Sequence, residues 1–226
     1  MKHIHFDTIS STQDHLIENC NDYTKDFLVS AKHQSHGRGR SINKWDSYEN
    51  SLAFSFTLKP AEVLTLTSLE IALLIIKYVK NDSIKLKWPN DILTSDYKKC
   101  GGILIQLINN TAIVGVGLNW GKSADRTDQA YKTQKGVLSS ELKLTDTDFE
   151  DLPMNIYNYI LSHRMSSLEI INQWNENCVH LGKQVSIIDG KDEQKGLFKG
   201  IGPAGEAILE IDTKEIKIFS GSLIIN

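Results

Sequence analysis

The chain has 226 residues, 25 Lys and Arg against 28 Asp and Glu for a formal charge of −3, and is 40% hydrophobic and 23% charged. This composition excludes a wholly disordered chain, and the length fits one domain, or one with a small appendage, that needs no disulfide or metal to fold. The charge balance also argues against a long polyanion partner: of four arginines, Arg38, Arg40, Arg126 and Arg164, two share one loop, which suits a local anion site and not a nucleic-acid track.

Lys2–Asp7 alternates Ile4 and Phe6 with polar neighbours and predicts a strand; it lacks the apolar stretch of a secretory signal. Ser11-Thr12-Gln13-Asp14 has the form of a capping box opening a helix through Cys20, and Phe27–Ala31 predicts a second strand. Residues 32–50 are polar and aperiodic, a long loop of the kind that carries function. Leu52, Phe54, Phe56 and Leu58 alternate along a half-buried strand. Thr67-x-x-Glu70 caps a helix with Leu66, Leu69, Leu73 and Ile76 on one face, and no apolar run approaches the ~18–20 residues of a membrane span. Ile84–Trp88, Gly102–Ile108 and Ala112–Leu118 predict three more strands, followed by a polar loop over 121–136 and helices over 151–162 and 167–178, the second opened by Ser166-x-x-Glu169. After Gly182, four or five short β-runs broken by Asp189-Gly190 and Gly202-Pro203 suggest a small barrel. Cys20, Cys100 and Cys178, without CxxC spacing, point to reduced thiols and a cytoplasmic location.

Four segments can carry chemistry, and each has a plainer reading beside it. In Gly37-Arg38-Gly39-Arg40 the glycines let backbone N–H groups converge on an anion and the guanidiniums add permanent charge; the same residues fit a flexible basic surface loop. Lys87-Trp88-Pro89-Asn90-Asp91 sets an amine beside a carboxylate that can support Mg²⁺ on a nucleotide, and also fits a turn. Lys98–Gly102 places lysines at glycines that permit close ligand approach, or a solvated hairpin tip. Gly115 and Gly117 lie on one face of a strand, where glycine marks a close approach. His33 and His36 lack a third metal ligand, and no Gly-x-Ser-x-Gly or Cys–His pairing points to a nucleophile.

Taken in this order, the segments resemble the biotin protein ligase family. Ser11-Thr12-Gln13 looks like its Ser-Thr-Asn/Gln element, Gln34–Arg40 like Gln-x-x-Gly-Arg-Gly-Arg, and Lys87–Asp91 like Lys-Trp-Pro-Asn-Asp. Lys99-x-x-Gly102-Ile103-Leu104 and Gly115-x-Gly117-x-Asn119 are similar to two further elements, and 183–226 to the family's SH3-like domain. After Arg40 the family commonly continues with more arginines; here Ser41-Ile42-Asn43-Lys44-Trp45 follows.

The resemblance implies an α+β fold, with a mixed-sheet catalytic domain over 1–181 and an SH3-like barrel over 182–226, in a short form lacking the N-terminal DNA-binding module. It implies ATP-dependent activation of biotin as biotinyl-5′-AMP and transfer to a lysine of a biotin carboxyl carrier protein, a subunit of acetyl-CoA carboxylase. Lys99 and Arg40 are then the catalytic residues. Ser11, Thr12, Gln13, Gln34, Arg38, Gly39, Arg40, Lys99 and Gly102 hold biotin. Arg38, Arg40, Lys87, Trp88, Asn90, Asp91 and Asn119 hold ATP, with Asp91, or Asn90 beside it, supporting Mg²⁺ through the ATP. Neither nucleic acid nor a membrane is an expected partner, and the oligomeric state, a homodimer included, is left open. Two alternatives stand beside this one: a lipoate or octanoate ligase or transferase of the same fold, against which the Gly-Arg-Gly-Arg and Lys-Trp-Pro-Asn-Asp pair weighs, and a non-catalytic effector-binding adaptor.

Overall fold

Periodic apolar residues place the helices over 66–79 and 148–162 against one face of a sheet, while the short helix over 12–19 packs through Leu16 on the other face, beside polar side chains such as Ser55. The computed structural model describes residues 1–19, 25–40, 43–46, 50–121, 135–139 and 144–226. In chain order, β1 (Lys2–Ile9) leads to α1 (Thr12–Asn19), β2 (Phe27–Gln34), β3 (Gly37–Arg38), β4 (Lys44–Trp45), β5 (Ser51–Leu58) and α2 (Leu66–Val79). Next come β6 (Ile84–Lys87), β7 (Asp91–Thr94), β8 (Lys99–Ile108), β9 (Thr111–Asn119), α3 (Asp148–Ser162) and α4 (Ser167–Glu176). The chain ends in β10 (Gln184–Asp189), β11 (Asp192–Ile201), β12 (Ala207–Ile211), β13 (Lys214–Ile218) and β14 (Ser222–Ile225).

Seven strands form a mixed sheet in the order β1-β2-β5-β9-β8-β7-β6, in which β1 and β2 run parallel and the remaining neighbours antiparallel. The α+β class with a mixed sheet is therefore the observed one. A second, antiparallel sheet of order β13-β12-β11-β10-β14 stands where the small barrel is expected. Its Val185, Phe198, Leu209 and Leu223 belong to the same apolar cluster as Phe54, Leu73 and Trp174, so the core is continuous across both sheets. Among the described residues no helix is long and apolar enough to cross a membrane. Cys100 and Cys178 are unpaired, and Cys20 lies outside the described residues.

Several elements differ from their sequence expectation for physical reasons. Strand β5 is buried along its whole length, not on one face, because it sits inside the sheet with Ser51, Ser55 and Thr57 facing a second enclosed side. Thr67 does not cap α2: the helix begins one residue earlier, and the Thr67 hydroxyl accepts from the Ala61 N–H at 3.0 Å. Glu70, expected in that cap, is fully buried and receives Nε and Nη2 of Arg164 at 2.8 Å each, plus the Met165 N–H at 2.9 Å. Burial of a carboxylate requires such partners, and tertiary pairing outcompeted the local cap. At α1, Ser11 Oγ accepts from the Asp14 N–H at 3.2 Å, but the Asp14 carboxylate turns to Arg38 instead of completing the box. The Ser166–Glu169 box at α4 forms in full.

The expected loop over 32–50 contains the hairpin β3–β4, and β2 runs on to Gln34. The single strand over 84–88 proves to be the first arm of a β6–β7 hairpin. Strand β8 starts at Lys99, so Lys99–Gly102 is strand and not a hairpin tip. Most of the loop expected over 121–136 lies outside the described residues.

Candidate active site

The polar face of the large sheet, the β3–β4 hairpin and one edge of the C-terminal sheet enclose a cavity of about 420 Å³. Its floor is built where β1 turns into α1. Ser11, Thr12 and Gln13 are almost fully buried there, beside Gln34 at the end of β2 and Ser55 on β5. Gln34 Oε1 accepts from the Thr12 N–H at 2.7 Å and from its hydroxyl at 3.1 Å; the Thr12 and Ser55 hydroxyls lie 2.9 Å apart. Gln13 donates from Nε2 to Gln106 Oε1 (3.0 Å) and to the Ile113 carbonyl (3.1 Å). Two acceptors fix that amide, leaving Gln13 Oε1 buried with no partner among the described residues. A buried acceptor without a donor is costly unless a ligand supplies one.

The two glycines of β9 explain themselves here. A Cβ at Gly115 would meet Gln13 Oε1 at 2.7 Å, and one at Gly117 would meet the Trp45 ring at 2.4 Å. Glycine is required because the floor amide and an indole lie directly on the strand.

The second wall is the β6–β7 hairpin with the start of β8. Lys87 Nζ lies 3.3 Å from Asp91 Oδ2 and Lys99 Nζ 2.5 Å from Asp91 Oδ1. Burial pushes the Asp91 carboxyl up, but the Lys99 and Lys87 ammoniums outweigh it and hold it below the ordinary carboxylate value. Gly102 sits over the Lys99 ammonium, where a Cβ would be 3.5 Å from Nζ. Asn90 Nδ2 donates to the Ile103 carbonyl at 2.6 Å, and the buried Trp88 donates from Nε1 to the Gly205 carbonyl at 3.0 Å, fastening this hairpin to the C-terminal sheet. The expected support of Mg²⁺ by Asp91 does not fit this arrangement. Both carboxylate oxygens face ammonium groups, and a divalent cation there would meet two like charges in a largely buried place.

The lid is the Gly-Arg-Gly-Arg segment. Arg38 Nη1 pairs with Asp14 Oδ1 at 2.5 Å on the surface. Arg40 makes two long contacts from Nη1, to Asn90 Oδ1 at 3.4 Å and to the Gly221 carbonyl at 3.3 Å. The Gly39 N–H donates to the Asn43 carbonyl at 2.9 Å, turning the chain back into β4.

Of the site residues expected from sequence, Asn119 alone does not line the cavity. Its Nδ2 donates to the Lys99 carbonyl (3.3 Å) and the Gly136 carbonyl (3.2 Å), so it steadies the strand that carries Lys99. Sequence reasoning missed Ser55, whose signal was a hydroxyl inside an apolar alternation, and Trp45, whose signal was an aromatic residue closing a polar loop. It also missed the third wall, Ile188–Gly190 with Ser220–Leu223, which carries no motif. A Cys–His contact, Cys178 Sγ to His180 Nδ1 at 3.4 Å, went unpredicted too. Burial pushes that thiol up to about 12 and the imidazole down to about 3, so the pair has no nucleophilic chemistry.

Read as chemistry, the cavity offers a hydrogen-bonding floor, a cationic middle and an arginine lid. Such groups suit an anionic ligand that also carries hydrogen-bonding groups. Against known proteins, the model of the biotin/lipoate A/B protein ligase family matches residues 5–123. The bifunctional ligase/repressor BirA of Bacillus spizizenii is 34% identical over 97% of this chain and 73% of its own. The Escherichia coli BirA is 26% identical over 90% and 68%, respectively. A biotin protein ligase from Aquifex aeolicus in complex with biotin and ATP shares the fold at a TM-score of 0.81 and 25% identity, covering 100% of this chain and 99% of that one.

Proposed function

The chain belongs to the biotin/lipoate A/B protein ligase family, and on that footing we propose that it is an adenylate-forming biotin ligase serving a biotin carboxyl carrier protein. In the first step a biotin carboxylate oxygen attacks the α-phosphorus of ATP, the bond to pyrophosphate breaks, and biotinyl-5′-AMP remains. In the second a carrier lysine amine attacks the acyl carbon and AMP leaves.

The observation that carries this reading is the juxtaposition of Lys87, Asp91 and Lys99 with the unpartnered Gln13 Oε1 in one cavity. Gln13 Oε1 is an acceptor suited to a ureido N–H, with Ser11, Thr12 and Gln34 completing the head-group site. Lys99, supported by Asp91 and Lys87, faces the carboxylate and α-phosphate, where negative charge is redistributed; preorganised cations there stabilise the transition state. Arg38, Gly39 and Arg40 close over the adenylate and exclude the water that would hydrolyse it. Trp88 and Asn90 belong to the nucleotide wall. Mg²⁺ belongs in this reading to the ATP phosphates and not to Asp91. Residues 1–181 hold the substrates, and 182–226 act as a second domain supplying the third wall.

Pyrophosphate release on adding biotin and ATP, mass spectrometry of bound biotinyl-AMP, and transfer to a carrier domain test the reading in order. Release with lipoate or octanoate but not biotin would move the protein to the other branch of its family; release with none would leave a binding protein.

A further inference from the structure

The cavity is walled for anions, yet the second substrate arrives as a cation. Arg38, Arg40, Lys44, Lys87 and Lys99 line it, whereas a lysine of ordinary pKa, about 10.4, enters as an ammonium at neutral pH. Among the described residues two carboxylates line the cavity. Asp91 is taken by Lys87 and Lys99. Asp189 has no ammonium or guanidinium in ion-pair distance among the described residues; it accepts a hydrogen bond at Oδ2 from the Ser220 hydroxyl.

The location of Asp189 suits an entry point. It ends β10 on the C-terminal wall and is exposed, at the mouth and not the floor. Ser220, which orients it, precedes Gly221, whose carbonyl receives Arg40. The carboxylate therefore stands on the rim beside the lid.

Resting on the function proposed above, we infer that Asp189 is the recognition residue for the acceptor lysine: its carboxylate receives the carrier's ammonium at the mouth and steers it between the cationic walls. It takes no part in bond making. An opposite charge on an interface rim acts chiefly on encounter and its salt dependence.

Asp189 also begins the Asp189-Gly190 hairpin turn, with Gly190 at φ 62° and Asp189 opposite Asp192, so a purely structural role must be separated. Asp189→Asn keeps the size, the turn chemistry and the acceptor for Ser220 while removing the charge. Enzyme loaded with biotinyl-AMP is mixed in single turnover either with a carrier domain or with hydroxylamine, an amine that is neutral at pH 7. In Asp189→Asn the ratio of the second-order rate of carrier transfer to that of hydroxylamine transfer should fall roughly 1.4–5-fold, through weaker carrier binding, with a shallower salt dependence. Asp189→Lys should lower the ratio further and Asp189→Glu restore most of it. An unchanged ratio in both Asn and Lys variants, or equal losses with the two nucleophiles, overturns the assignment. A wild type that releases no pyrophosphate with biotin and ATP would overturn the function itself, and this assignment with it.

Discussion

Two cationic regions meet in the cavity, and they are built in opposite ways. Lys87 and Lys99 project from paired strands, their Nζ atoms fixed on one carboxylate whose side chain is 16% exposed. Arg38 and Arg40 project from a hairpin of two-residue strands, held by a surface ion pair and by contacts of 3.3–3.4 Å. The strand pair is preorganised; the lid pair is tethered. Groups that must hold still while charge moves belong on strands, and groups that must open for substrates and close on an intermediate belong on a lightly held segment. This division predicts different failures when each is cut.

The largest effect is expected at the strand wall. Lys99→Ala removes the ammonium closest to Asp91 and should lower adenylate formation roughly 10²–10³-fold, the range for loss of one preorganised electrostatic donor. Because Lys87 remains on Asp91, the carboxylate keeps a partner and the fold should survive, which circular dichroism would verify. Near-normal biotin-dependent pyrophosphate release would place the chemistry elsewhere and dissolve the contrast with the lid.

The lid should fail by leaking. On the proposed function, Arg40→Ala would remove a charge-assisted contact to the adenylate worth about 1.5–3 kcal/mol, or roughly 10–150-fold in retention. Biotinyl-AMP should still form, and freed adenylate should label lysines of unrelated proteins such as albumin. A variant that makes no adenylate would show that Arg40 belongs with Lys99 and not with the lid.

The same contrast explains what the sequence could and could not tell. The strand wall was legible because its chemistry is local: Lys87 to Asp91 is one hairpin, and Lys99 to Gly102 starts the next strand. Gly115 and Gly117 were legible as places of close approach, but not as the seats of the Gln13 amide and the Trp45 ring, which come from distant segments. Glu70 misled, because a cap is a local signal and its real partner, Arg164, lies 94 positions on. The third wall was illegible, since Ile188 and Ser220 read only as ends of short β-runs and Asp189-Gly190 as a break between them, until β10 and β14 pair and face the lid. The Asp91–Mg²⁺ expectation met a related limit: composition supplies the carboxylate, but only geometry shows that both its oxygens face ammonium groups.

Burial governs a third place, the segment joining the two sheets. His180 is fully buried, its ring 4.2 Å from that of Phe198, and desolvation, helped by Lys87 and Lys183, lowers it to about 3. The unfolded chain takes a proton near pH 6.5 that the folded chain refuses until about 3. Stability is therefore retained above 6.5 and lost as pH falls below it, by at most about 1.4 kcal/mol per pH unit. Urea denaturation of His180→Gln between pH 7 and 4 should lack this slope; an unaltered slope would assign the acid sensitivity to other groups.

The smallest effect tests how lightly the lid is held. Asp14 and Arg38 pair with side chains 36% and 44% exposed, and solvent-exposed pairs contribute about 0.2–1 kcal/mol. Asp14→Asn should thus barely change thermal stability, even allowing for the lost acidic residue in the first turn of α1. Its consequence should appear in binding instead. In the free protein Asp14 competes with an anionic ligand for the Arg38 guanidinium, so removing its charge releases that competition. Isothermal titration with a non-hydrolysable biotinyl-AMP analogue should show roughly 1.4–5-fold tighter binding, the same free energy read from the other side. The gain should shrink as salt is raised, because screening already weakens the Asp14 pair in the wild type. Weaker binding in Asp14→Asn would mean that Asp14 orients Arg38 toward the ligand, and that this half of the lid is preorganised like the strand wall.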